Sequence, residues 1–93
     1  EENSPALEYF NSKTAEIQTS LSDLQGQMTL SQKEVDRSQS EVDRSQSDAD
    51  RSKGLLAAKI IPKADYEKKI HDLEQAKNKI EQAKIKLEQA KIN

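Results

Sequence analysis

Apolar and small residues recur along this chain with a period of seven. One stripe keeps phase for about fifty residues: Leu7, Phe10, Thr14, Ile17, Leu21, Leu24, Met28, Ser31, Val35, Ser38, Val42, Ser45, Ala49, Ser52 and Leu56. A second stripe follows a short break: Tyr66, Ile70, Leu73, Ala76, Ile80, Ala83, Leu87 and Ala90. A sustained seven-residue period marks helices that meet along a narrow seam. The first stretch predicts roughly 75 Å of helix at 1.5 Å per residue. Ser4 and Pro5 supply its start, an N-cap followed by a proline suited to the first turn. Gly26 lies inside it and costs about 1 kcal/mol relative to alanine, but the phase does not reset there, so one continuous helix is expected. The second helix is expected to begin at Pro62, with Asp65 and Glu67 placing negative charge at the positive end of its dipole.

The two segments are built from unlike repeats. EVDRSQS runs from Glu34 to Ser40 and again from Glu41 to Ser47, with a degraded copy from Asp48 to Gly54. After the break, Glu-Gln-Ala-Lys recurs at Glu74, Glu81 and Glu88, which places Glu74/Lys77, Glu81/Lys84 and Glu88/Lys91 at i,i+3 spacing on the outer faces. Folding the stripes together about a tip near residue 59 opposes residues whose numbers sum to about 118. Ser52 then faces Tyr66, Ser45 faces Leu73, Val42 faces Ala76, Ser38 faces Ile80, Val35 faces Ala83, Ser31 faces Leu87 and Met28 faces Ala90. Small meets large in every layer, which fills a seam without voids or overlap. Serine hydroxyls in such a seam can return to the i−4 carbonyl. The expected fold is therefore all-α, a long antiparallel two-helix coiled-coil hairpin: an ascending helix over 5–58, a tip at 59–61 and a descending helix over 62–93.

The same register exposes an imbalance. Gln25 pairs with Asn93, which leaves Leu7, Phe10, Ile17, Leu21 and Leu24 without a counterpart. A longer descending arm, a second copy of the chain, or a third helix folding back at Gly26 would each cover them. Self-association, or origin as a piece of a larger protein, is the expectation.

Composition narrows the class. With 93 residues there is room for one domain. Hydrophobic residues make up 32% and aromatics 3%, too few for a broad globular core. Charged residues reach 34% but nearly cancel at net −2, which gives no electrostatic reason to bind nucleic acid or an anionic membrane. A narrow, serine-rich stripe also argues against a membrane-surface helix. Cysteine is absent, so disulfides and thiolate metal sites are excluded. Glu1 to Ser4 is neither basic nor apolar and does not read as a signal peptide; an export signal or anchor would lie outside these residues.

Catalytic chemistry finds no foothold. His71 stands alone, without a second histidine or a cysteine, and reads as a solvated helix residue. The acidic residues fall at coiled-coil spacing as a solvated rim. No general base accompanies the repeated serines, and two glycines cannot build a phosphate loop. Neither an enzyme nor a cofactor is expected.

The break itself carries the most information: Arg51, Leu55, Leu56, Ile61, Pro62, Lys63, Asp65 and Tyr66 within sixteen residues. This pattern resembles the hairpin tip of the periplasmic adaptor family, the HlyD-like membrane fusion proteins of tripartite efflux pumps and type I secretion systems. Their tips often carry an Arg, a Leu four residues on, a Ser seven further, then a Lys and often an acidic residue and a Tyr. Arg51 and Leu55 occupy the first two positions, while Pro62 stands where the family usually has Ser. The resemblance covers roughly residues 30 to 93. It implies that the tip, through Arg51, Leu55, Leu56, Ile61 and Pro62, docks onto a TolC-like outer-membrane channel. It also implies a parent protein anchored in the inner membrane, reaching into the periplasm and working with an ABC or other transporter. The alternative from another class is a structural coiled-coil hairpin of a cytoplasmic scaffold or filament protein.

Overall fold

The computed structural model describes residues 4–92 of the 93-residue chain. Two helices, α1 (Pro5–Ala57) and α2 (Lys63–Ile92), pack against each other as a helical hairpin measuring 86 × 15 × 12 Å. The α1 start is capped as its sequence requires: the Leu7 backbone N–H donates to Ser4 Oγ at 3.1 Å, and Pro5 occupies the first turn. From there α1 is one uninterrupted helix through Gly26, so the chain does not fold back as a third helix. An added Cβ at Gly26 would meet nothing within 4 Å, and no close packing demands glycine there.

Burial follows the two stripes. Leu73, Ala76, Ile80, Ala83 and Leu87 of α2 are buried, as are Ser38, Ala49 and Ser52 of α1. Met28, Ser31, Val35, Val42, Ser45 and Leu56 are half-buried, with Tyr66, Ile70 and Ala90 opposite them. No seam position between Leu24 and Ala90 is fully exposed. The register is visible from the shallow grooves along the rod. One is lined by Ser31, Lys86 and Ala90, another by Ser38, Lys79 and Ala83, and a third by Ser45, Asp72 and Ala76. Each brings together residues whose numbers sum to about 118, within one turn. Asn93, the expected partner of Gln25, lies outside the described residues.

Outside the seam, the repeats explain themselves locally. Gln32, Gln39 and Gln46 each donate a side-chain hydrogen bond at 3.0 Å to the Asp four residues on: Asp36, Asp43 and Asp50. Such i,i+4 pairs stabilise a helix by about 0.2–0.5 kcal/mol each, and the EVDRSQS unit repeats the pair once per heptad. Arg37 pairs with Glu34 at 3.0 Å. On α2, Lys84 reaches Glu81 at 4.0 Å and Lys91 reaches Glu88 at 3.4 Å, whereas Glu74 and Lys77 stay beyond pairing distance. The hydroxyl back-bonds in the structure come from Thr29 to Gln25 and from Ser40 to Asp36, both on the exposed surface. Among the described residues, no buried side-chain nitrogen or oxygen lacks a partner.

The turn is longer than the pattern suggests. It spans residues 58–62 rather than 59–61, and Pro62 precedes α2 instead of opening it. The Asp65 N–H bonds the Pro62 carbonyl at 3.1 Å, which makes Pro62 the cap of the first α2 turn. Proline serves there because it adds no orphan N–H to a helix start already rich in them.

Candidate docking site at the hairpin tip

The end of α1 builds the tip. Ala58 caps the helix and donates its N–H to the Gly54 carbonyl at 3.0 Å. Lys59 then turns left-handed with φ 61°. Its N–H bonds the Leu56 carbonyl at 2.9 Å, and the Ile60 N–H bonds the Leu55 carbonyl at 2.8 Å. These two bonds are the Schellman pattern, which satisfies carbonyls that would otherwise be left open at the helix end. Glycine normally takes the left-handed position, and a lysine there costs about 1–2 kcal/mol. The usual marker of such a cap is therefore missing from the sequence; Gly54, the only glycine nearby, lies inside the last turns of α1.

The cap fixes what the tip presents. Directly beside it runs a groove of about 380 Å³ between the two helices. It is lined by Asp48, Arg51, Ser52 and Leu55 of α1, Ile61 of the turn, and Asp65, Lys68 and Lys69 of α2. Three of the five residues expected at the tip, Arg51, Leu55 and Ile61, thus share one groove. Leu55 and Ile61 are half-buried and form its apolar part. The other two sit elsewhere: Leu56 is half-buried at the last seam layer, and Pro62 is exposed at the start of α2 without lining the groove.

Arg51 has a partner that spacing alone did not single out. Its Nη2 lies 2.9 Å from Asp48 Oδ1, one turn back on the same helix. The pair is largely solvated and contributes little stability, but it holds the guanidinium along the groove wall. Asp65, Lys68 and Lys69 line the groove from the opposite helix, so the rim carries three cations against two carboxylates. Asp48 and Lys69 were within reach of the register, because their numbers sum to about 117. Ile60, at the very end of the rod, is 67% exposed.

An apolar floor with a charged rim is the anatomy of a contact surface: buried aliphatic area gives attraction, and rim charges set orientation. Arg51 adds a planar donor fork that fits carbonyls or carboxylates. Among the described residues, no group of three or more His, Cys, Asp or Glu side chains is placed to hold a metal ion, and no helix is long and apolar enough to cross a membrane. Comparison with protein-family models, curated proteins and solved structures gave no match.

Proposed function

We propose that the chain is the spacer and docking element of a periplasmic adaptor. Its tip seats on an outer-membrane channel of the TolC kind, and its parent protein links that channel to an inner-membrane ABC or other transporter. One observation carries this role. Arg51, Leu55 and Ile61, the residues that resemble the adaptor tip, converge on a single groove at the end of an 86 Å rod. A rod of that length is well suited to carry a contact surface away from a membrane, and an exposed Ile60 beside the groove gives a hairpin nothing structurally. A purely structural scaffold hairpin accounts for the seam equally well. It differs in leaving the tip residues without a partner.

The test is transport by the full-length parent protein expressed with its transporter and channel. Leu55→Asp places an unpaired charge in the apolar floor, where desolvating it is expensive. Arg51→Ala removes the donor fork. Both residues lie at the end of the seam, so the arms should stay folded and the protein abundant while efflux or secretion is lost. Undiminished transport by the double variant, at normal abundance, would exclude the tip as the docking surface.

A further inference from the structure

Charge cancels over the whole chain but not along it. Residues 51–63, which close the hairpin, hold Arg51, Lys53, Lys59 and Lys63 and no carboxylate, so a chain of net −2 has +4 at its tip and −6 everywhere else. Widening the window to 48–69 brings in Asp48, Asp50, Asp65 and Glu67 along with Lys68 and Lys69, and the balance is still +2. The lysines of this end are exposed and largely uncommitted. Lys63 reaches Glu67 only at 3.9 Å, and Lys53 and Lys59 enter no ion pair among the described residues.

Two residues stand at the very end of the rod, and neither side chain serves the fold. Ile60 is 67% exposed, with no seam layer to fill. Lys59 holds φ 61°, a conformation that glycine takes without steric cost and a larger residue does not. Stability alone favours glycine at that point of a Schellman turn. What lysine adds is a charge at the outermost point of the molecule, and backbone strain of this kind collects at sites that bind. Lys53 lies roughly 6 Å back from the end of α1 at 1.5 Å per residue, and Lys63 opens α2. The three lysines therefore come within about a Debye length, roughly 10 Å at 0.1 M salt, of any surface that Ile60 touches.

We propose that this end binds an anionic phospholipid bilayer, with Ile60 entering the interface below the headgroups while Lys53, Lys59 and Lys63 meet the lipid phosphates. The pattern is an aliphatic point among long cationic side chains, whose stems follow the apolar part and whose heads stay with the charges. Dimensions favour a bilayer over an acidic protein. The rod is only 15 × 12 Å across, an end face of about 180 Å², far below the ~800 Å² that each partner contributes to a standard protein contact. A fluid lipid surface needs no such area, because headgroups rearrange around a narrow probe. The docking groove escapes this limit because it runs along the flank, over Arg51, Leu55 and Ile61, and not over the end face. The acidic remainder fixes the pose. The surface that attracts the tip repels the shaft, so the rod stands on the bilayer rather than lying along it. The contact rests on the end face alone and does not depend on the docking role.

The experiment uses the 93-residue chain and vesicles of one part phosphatidylglycerol to two parts phosphatidylcholine, with phosphatidylcholine alone as the control. Co-sedimentation should carry the chain down with the mixed vesicles only. Raising the salt from about 0.1 M to about 1 M should release it, because the Debye length falls from roughly 10 Å to 3 Å. Lys59→Gly separates binding from folding. It should raise the thermal midpoint by relieving the left-handed strain, yet lower the partition coefficient about fivefold, the weight of one cation at such a surface. Lys59→Arg should keep the binding. The chain has no tryptophan, so Ile60→Trp and Ile17→Trp each report one place. Emission of the first should move to the blue on mixed vesicles. That of the second, on the exposed stripe of the overhang where α1 runs on beyond α2, should not. A Lys59→Gly chain that binds unchanged, or a shift at Ile17→Trp without one at Ile60→Trp, would overturn the inference. So would a chain that stays in solution with mixed vesicles at low salt, which would leave an acidic protein surface as the partner of the cationic tip.

Discussion

The two halves of α1 share one helix and one stripe, yet their burial is the reverse of their hydrophobicity. In the paired half, Ser38 is 4% exposed; in the overhang, Phe10 is 67% exposed. Serine is among the residues least often found inside proteins, and phenylalanine among those most often found there. What differs is the opposite helix. In the register Ser38 falls opposite Ile80, and both are buried, so a large side chain of α2 meets a small one of α1 in that layer. Phe10 faces no part of α2. Burial in a two-helix rod is thus decided by the sum of sizes across a layer and by whether a layer exists at all, not by the polarity of one residue.

The contrast breaks most visibly at its largest residue. Ile80→Ala removes the bulk from a layer whose other side is only a serine, and the two helices cannot close over the space. The expected loss is about 2–4 kcal/mol, enough to melt a narrow hairpin near room temperature. Phe10→Ala deletes more atoms but should change hairpin stability by less than about 0.5 kcal/mol, provided it is measured where the chain is monomeric. Urea titration followed by circular dichroism at low concentration reads both. Equal losses would mean that the overhang is part of the cooperative core.

The reciprocal change is smaller and tests the register. Ser38→Leu puts two large side chains in one layer and should cost about 1–3 kcal/mol by overpacking. Combined with Ile80→Ala it restores the layer's volume, so the double variant should recover most of that loss. Thr14→Leu, the same kind of enlargement in the overhang, should not destabilise the monomer. If Leu73→Ala rescued Ser38→Leu as well as Ile80→Ala does, the helices would be shifted by a heptad.

Most of the fold was legible because a coiled coil writes its contacts into its period. The phase of α1 gave the seam, and the size alternation between unlike repeats gave the register. The exposed Leu7–Leu21 stripe followed from the same count. The tip was less legible. Arg51, Leu55 and Ile61 could be placed at one end, but their shared groove depends on the left-handed turn at Lys59, which has no glycine to announce it. Proline's preference for a first helical turn points to Pro62 inside α2, whereas the turn needs five residues and leaves it at the cap. Spacing does not single out Asp48 for Arg51, because i,i+3 spacing is common along this charged chain and geometry alone selects among the possible pairs.

The smallest expected effect separates the two halves by their glycines. Gly26 and Gly54 both lie within α1, and an added Cβ at either meets nothing within 4 Å. Replacing each by alanine should therefore stabilise the local helix by about 0.5–1 kcal/mol through backbone entropy alone. The consequence should differ with position. Gly54 sits in the paired half, where helix and hairpin melt together, so Gly54→Ala should raise the unfolding midpoint by its full share. Gly26 stands at the border of an overhang of only about six turns, a length marginal for a helix without tertiary support. In the monomer, Gly26→Ala should raise the helical signal before the main transition while barely moving its midpoint. Site-resolved hydrogen exchange would show the same division, with amide protection in Pro5–Leu24 rising and that around Ser38 unchanged. Should Gly26→Ala shift the midpoint as far as Gly54→Ala, the whole of α1 unfolds as one unit, and the overhang draws stability from the seam without touching α2.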